Sequence, residues 1–373
     1  MTRITTPAWE GWQRDGDFQR AIHSALERAG QAGLSAPIVM GAIPFNTRQP
    51  SCLYIPRHYE WREPAAAPTN AENDVPASPC EVSYLPQEAV FKRAVRQAIA
   101  NFQHSDIRKV VLSRILELQL PDAVNIDQLL ARLRHQNPQG YQFRVPMTDG
   151  ATLVGVSPEL LLHKNGTAIR SNPLAGSAKR QADSEQDRAV AEKLLSSSKD
   201  HYEHRLVIEG VRQVLGPYCS HLDIPETPSL ISTSALWHLS TVVEGSVADP
   251  DTTALQLACR LHPTPAVCGY PTGSARKLID LVESFDRGLF TGMVGWCDAE
   301  GNGEWAVTIR CGSIHHDTIR LFAGAGIVKA SQPDAEWGET QAKLGTMLNA
   351  FGLDISQLDT QPLPGRTTNK VIS

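Results

Sequence analysis

From residue 88 onward the apolar positions fall into regular patterns. In EAVFKRAVRQAIANF (88–102) they stand at 90, 91, 94, 95, 98 and 99. That is one stripe at helical spacing, and it predicts a helix. KVVLSRILELQL (109–120) opens with β-branched residues and then alternates, which predicts a strand. DQLLARLRHQ (127–136) predicts a short helix, and YQFRV and ATLVGVS predict strands. In LLLHKNGTAIRSNPL, Asn165-Gly166 separates two strand-like runs, a strong hairpin signal. A long helical section follows over 183–215. SLISTSALWHLSTVVEGSV (229–247) reads as strand. TTALQLACRL and SARKLIDLVESF predict helices around the loop HPTPAVCGYPT (262–272). After 288, LFTGMVGWCD, EWAVTIRCGSI and TIRLFAGAGIV predict strands joined by turns, and DAEWGETQAKLGTMLNAF (334–351) predicts the last main helix.

Residues 1–85 are the least regular part. Proline recurs from 37 to 86, and EPAAAPTNAENDVPASP (63–79) is polar and small-rich, the composition of a surface loop. APIVMGAIPF (36–45) and SCLYIP (51–56) predict strands. No repeat or composition break divides the chain. Mixed helices and hairpin-linked strands predict an α+β (mixed α/β) single large domain. Its N-terminal part spans 1–85, its core 86–355, and a polar tail 356–373.

Composition narrows the classes of partner. The chain has 373 residues, with 35 Lys and Arg against 40 Asp and Glu, a net charge of −5. Such a balance argues against nucleic acid or an anionic membrane as the main partner, but leaves room for an anionic small molecule in a local cationic pocket. The N-terminus lacks an apolar core, which predicts no secretory signal, and no apolar run reaches the ~20 residues that span a bilayer. The seven cysteines are widely spaced and form no CxxC pair, which excludes zinc-ribbon and thioredoxin chemistry and predicts reduced thiols in a cytoplasmic protein.

Four clusters could carry chemistry. In KDHYEH, Asp200 and Glu203 lie three apart on one helix face. In EWGETQAK, Glu336 and Glu339 repeat that spacing, with Lys343 four beyond. Carboxylates facing each other from two helices can hold a hard cation such as Mg²⁺, and they can equally be solvated faces with salt bridges. The Gly176-Ser177 step in SNPLAGSAKR suits a backbone approach to an anion, or an ordinary turn. Arg310 ends a strand-like run, near Gly324 and Gly326 in AGAG; its fork matches a carboxylate, or makes a structural ion pair. Zincin, Walker A and GxSxG patterns are missing.

Taken in order, KVVLSR, GVSPE, NPLAGSAKR, KDHYEH, WHLST, HPTPAVCG, FTGMVGW, TIRCGS, AGAGIV and EWGETQAK resemble the chorismate-utilising enzymes. That family includes anthranilate, aminodeoxychorismate, salicylate and isochorismate synthases. The resemblance spans roughly residues 85–352, and GAIPFNTRQPSCLYIP is similar to the isochorismate synthases of catecholate-siderophore pathways. It implies a cleft between sheet and helix layers, Mg²⁺ as cofactor, chorismate as substrate and a monomer. It also implies roles for single residues. Glu203 and Glu339 match the metal ligands, with Asp200 and Glu336 as companion carboxylates. Lys109 matches the base and Glu159 the general acid. Arg310 and the Gly324 backbone match the clamp on the enolpyruvyl carboxylate. Gly176 and Lys343 match contacts to the ring carboxylate and metal region, and His238 the ring-contacting histidine. Val267 and Phe290 would line an apolar wall. Ser177, Ala266, Ile309 and Phe322 complete the substrate-binding set.

Within the family the nucleophile varies. Anthranilate synthases have glutamine where Lys109 stands, and aminodeoxychorismate synthases carry a lysine in PIKG where this chain has PLAG with Ala175. A base lysine without a nucleophilic one implies water as nucleophile. That leaves isochorismate synthase, feeding 2,3-dihydroxybenzoate, with salicylate synthase or a menaquinone-pathway isochorismate synthase as alternatives. HPTPAVCG and Phe290, where salicylate synthases usually show tyrosine, imply the first. A scaffold that had lost catalysis would lack the acid, base or metal carboxylates, and all are present.

Overall fold

The computed structural model describes residues 2–62 and 79–358. Most of the loop 63–79 and of the tail 356–373 therefore lies outside the described residues. The N-terminal part holds β1 (Thr2–Ile4), α1 (Asp17–Gln31), β2 (Ile38–Ile43), β3 (Cys52–Ile55) and β4 (Glu81–Leu85). Then come α2 (Glu88–Asn101), β5 (Lys109–Gln119), α3 (Ile126–Gln136), β6 (Tyr141–Pro146), β7 (Thr152–Ser157), β8 (Leu160–Asn165), β9 (Ala168–Asn172) and β10 (Leu174–Lys179). The middle contains α4 (Ser184–Ser196), α5 (Ser198–Leu215), β11 (Cys219–Asp223), β12 (Ser229–Ser232), β13 (Leu236–Ser240), β14 (Val243–Val247), α6 (Ala254–Leu261), β15 (Gly269–Tyr270) and α7 (Thr272–Val282). The chain closes with β16 (Met293–Asp298), β17 (Gly303–Val307), β18 (Cys311–His315), β19 (Thr318–Ile327), α8 (Pro333–Phe351) and α9 (Ile355–Leu358).

The strands form three antiparallel sheets. The largest runs β1-β3-β2-β16-β17-β8-β9-β14-β11; a second runs β15-β5-β19-β18-β7-β6, with β4 also paired to β5; a small third is β10-β13-β12. Period-2 alternation sorts side chains onto opposite faces of the two large sheets. On β2, Val39 and Ile43 pack with α1 and α6, whereas Ala42 faces the other sheet. On β7, Val154 and Val156 pack with α3 and α8, whereas Leu153 turns inward to meet Ala42, Val294 and Ala306. The result is two facing sheets with helices on both outer faces.

Two expectations need correction, and the helical section over 183–215 resolves into its parts. EWAVTIRCGSI is not one strand. It breaks at Thr308–Arg310 into β17, in the nine-stranded sheet, and β18, in the seven-stranded one. Arg310 therefore sits in the bend, at φ +50°, rather than at the end of a strand. The 183–215 section is two helices meeting at Ser197, whose hydroxyl accepts from the Asp200 N–H at 3.3 Å and starts α5. The 229–247 strand is three strands. The irregular N-terminal part also contains a full helix, α1, whose Phe18, Ile22, Ala25 and Leu26 recur at helical spacing and are buried.

Candidate active site

Two chain segments cross from one large sheet to the other side by side. Between β7 and β8 the crossing segment carries Glu159; between β17 and β18 it carries Arg310. The Val307 N–H donates to the Glu159 carbonyl at 3.1 Å, and the Val156 N–H to the Arg310 carbonyl at 3.0 Å. Strand pairing is interrupted there, so both side chains turn into a pocket instead of a sheet face. Val111 of β5, Ala175 to Ser177 of β10, Glu203 of α5, His238 of β13, Gly324 and Gly326 of β19 and Lys343 of α8 form much of its wall. Gly176 stands at φ +82°, and a Cβ there would lie 3.0 Å from Asp200 Cβ, so β10 approaches α5 only through a glycine.

Burial dominates the electrostatics. It pushes the Glu159 carboxyl up to about 7, although a Leu174 backbone hydrogen bond and the charges of Lys109, Arg310 and Lys343 act the other way. Glu159 Oε1 has no protein partner. Burial, with Arg310 and Lys343 nearby, pushes His238 well below the usual imidazole range, and its Nε2 is unpartnered. Arg310 is brought down to about 10 by burial, against the pull of Glu339 and Glu159. Even so it remains a cation near pH 7, and its Nε is unpartnered. The pocket thus offers a carboxyl that still holds its proton about half the time near pH 7, a neutral imidazole and a fixed cation.

Behind Glu203 lies Lys109, fully buried, with Nζ 2.9 Å from Glu203 Oε1. The two groups are in contact, but without the alignment of a hydrogen bond. Lys199 Nζ lies 2.7 Å from Glu336 Oε1, and Lys343 Nζ lies 2.6 Å from Glu339 Oε1 and donates to the Gly324 carbonyl at 2.8 Å. Burial and neighbouring Glu339 push Glu336 up. Burial acts the same way on Glu339, but Lys343, Lys199 and Arg310 outweigh it and hold Glu339 down. Asp200 is raised by burial and by Glu203 and Glu339.

Among the described residues no three His, Cys, Asp or Glu side chains form a ready metal cluster. The donor set still fits a hard cation. All four candidates are oxygen donors, Asp200 feels Glu203 and Glu339, Glu336 feels Glu339, and Glu336 Oε2 is buried without a hydrogen-bond partner among the described residues.

Of the residues singled out from the sequence, Glu159, Gly176, Ser177, Glu203, His238, Ala266, Val267, Phe290, Ile309, Arg310, Gly324 and Lys343 line one pocket. Phe322 backs the wall, its ring stacked on Phe290 with centroids 5.1 Å apart. Lys109, Asp200, Glu336 and Glu339 stand behind the wall rather than on it. Sequence reasoning missed Lys199, although it adjoins Asp200. It also missed His204, whose ring meets the Ala175 carbonyl at 3.2 Å and Thr241 Oγ1 at 2.7 Å.

The sequence matches the family described as chorismate binding enzyme over residues 57–352. It is 46% identical to isochorismate synthase EntC of Escherichia coli (strain K12), across 95% of this chain and 91% of that protein. It is 43% identical to isochorismate synthase DhbC of Bacillus subtilis (strain 168), across 93% and 89%. A crystal structure from Bacillus anthracis, proposed to be the 2,3-dihydroxybenzoate-specific isochorismate synthase DhbC, superposes with a TM-score of 0.86 at 41% identity, covering 95% of this chain and 92% of that one. A pocket set at a sheet crossing, walled by the motifs that carried the resemblance, agrees with these matches: the chain belongs to the chorismate binding enzyme family.

Proposed function

We propose that this protein is an isochorismate synthase that feeds 2,3-dihydroxybenzoate formation. The observation that carries the reading is Glu159, a buried carboxyl that keeps its proton up to about pH 7 in a pocket shared with Arg310, His238 and Glu203, with Lys109 2.9 Å behind Glu203. Arg310 holds the enolpyruvyl carboxylate, and Val267 and Phe290 pack against the ring. A water adds to C2 and passes its proton to Lys109. Glu159 gives its proton to the C4 hydroxyl, which leaves as water. The C–O bond made at C2 balances the one broken at C4, and solvent returns a proton to Glu159 and takes one from Lys109. Glu203 and Glu339, with Asp200 and Glu336 behind them, would hold Mg²⁺. When bound, the ion supplies charge stabilisation at the ring carboxylate as the hydroxyl departs. Chorismate is then the small-molecule partner of a cytoplasmic monomer. No described helix is long and apolar enough to cross a membrane.

The test is to incubate the protein with chorismate and Mg²⁺ and separate the products by chromatography. Isochorismate that disappears on adding a chelator is the expected result. Salicylate with pyruvate as the main product would overturn the assignment, and anthranilate formed from ammonia would overturn water as nucleophile.

A second expectation concerns Gly326. A Cβ there would lie 2.0 Å from Glu203 Oε1 and 2.9 Å from Lys109 Cε. Gly326→Ala must therefore displace that pair, and a shift of about 1 Å near reacting groups costs on the order of 100-fold in rate. Product quantification at saturating chorismate reads this directly. Unchanged turnover would detach the pair from the chemistry.

A further inference from the structure

Strand β5 has an uneven edge. On one side it pairs with β19 along its length, Thr318 to Ile327 against Gln119 to Val110. On the other it pairs with β15 only at Lys109 and Val110, and with β4 only from Ile115 to Gln119. Residues 111–114 fall in the gap, where outward-facing backbone groups need partners other than a strand. The Val111 N–H still donates to the Cys268 carbonyl at 2.8 Å.

Two side chains supply the rest. Arg287 Nη2 donates to the Val111 carbonyl at 2.8 Å, and the Ser113 N–H donates to Glu283 Oε1 at 2.7 Å. Arg287 and Glu283 grip each other in a bidentate pair, Nε to Oε2 at 2.8 Å and Nη2 to Oε1 at 2.6 Å. Nη1 of Arg287 donates to the Val267 carbonyl at 2.8 Å and to Thr291 Oγ1 at 3.3 Å. Both side chains are almost wholly buried.

Val111, Val267 and Thr291 come from three separate segments, and all three line the pocket. Thr291 stands at φ +57°, a strained position for a β-branched residue, and so depends on its surroundings. A fourth strand in the gap would have covered this part of β5. The ion pair satisfies the backbone there while leaving the wall of the pocket open.

We infer that Glu283 and Arg287 form a positioning unit that fixes the apolar wall against the substrate ring, two residues along β5 from Lys109. Neither residue lines the pocket, so neither touches the substrate; the unit acts through the Val111, Val267 and Thr291 backbone. For its assay the inference rests on the isochorismate synthase reading. Wild-type protein that forms no product from chorismate would sink that reading, whereas the clamp is judged only by variants against an active wild type.

The deciding experiment separates positioning from stability. Replacing both members of a buried ion pair with apolar residues of similar volume is often neutral for stability. The double variant Glu283→Leu with Arg287→Met also removes the partners of the Val111 and Val267 carbonyls and of the Ser113 N–H, so it is expected to melt several degrees lower while staying folded at the assay temperature. It is expected to lose about 100-fold in kcat/KM, mostly in kcat, because the ring is no longer held at the reacting angle. A folded double variant within threefold of wild type would overturn the inference. Should that variant unfold at the assay temperature, Glu283→Gln decides. It keeps an acceptor for Ser113 but weakens the grip on Arg287. A tenfold fall in kcat with KM little changed supports the inference, and an unchanged kcat overturns it.

Discussion

Lys109→Ala is expected to lower turnover by roughly 10²–10⁴-fold, the usual contribution of a positioned base, while chorismate still binds. Lys109 is fully buried, and its Nζ lies 2.9 Å from Glu203. Truncation therefore also leaves a buried carboxyl without its neighbour, which costs stability as well as rate. Two measurements separate the effects. Calorimetric titration with chorismate reports binding, and product chromatography below the variant's melting temperature reports turnover. Lys109→Gln, which keeps most of the side-chain volume, controls for the cavity. Near-full turnover in either variant would remove Lys109 from the base role and leave Glu203 without its buried partner as the only consequence.

Glu159→Gln is expected to cut turnover by a similar roughly 10²–10⁴-fold and to make the protein more stable in mild alkali. The sign follows from the raised carboxyl. Its folded value is about 7, against an ordinary 4.5. The folded state therefore holds the proton more tightly than the unfolded chain does. Below pH 4.5 both states are protonated and nothing is lost. Between 4.5 and 7 the unfolded chain gives up its proton first, and stability falls. Above 7 the penalty is constant at about 3 kcal/mol. A neutral glutamine never incurs it, so thermal melts at pH 8 should favour the variant and melts at pH 4 should not. The same group shapes the wild-type rate. An acid must carry its proton to donate it, so activity should fall about tenfold per pH unit above roughly 7. A wild-type profile flat from pH 6 to 9 would remove Glu159 as the acid.

Legibility differed from element to element. Helix α2 was legible because one apolar stripe runs along its length, and strand β5 because β-branched residues open it. The Asn165-Gly166 hairpin was legible because Gly166 takes φ +59°. The break inside EWAVTIRCGSI was not, because Val307, Ile309 and Cys311 continue an apolar alternation across a change of sheet. Arg310 drew attention for its chemistry, but its place in a bend followed only from the crossover. Glu283 and Arg287 show the opposite failure. Charges four apart in sequence read as an exposed salt bridge, and nothing local says that they fill a gap between β15 and β4.

The sequence by itself determined the family and the cast of the site. Ten ordered motifs carry the residues proposed as acid, base and clamp together with the four carboxylates, and side-chain chemistry is written in the residue types. Tertiary structure alone decided which charges meet. It put Lys109, Lys199 and Lys343 each on a different carboxylate, buried Glu159 deeply enough to keep its proton, and brought three distant wall segments under one guanidinium. The physical reason is that burial and contact between residues far apart in sequence depend on how strands cross between sheets. Local periodicity records which face of an element is apolar, but not which element will cover it.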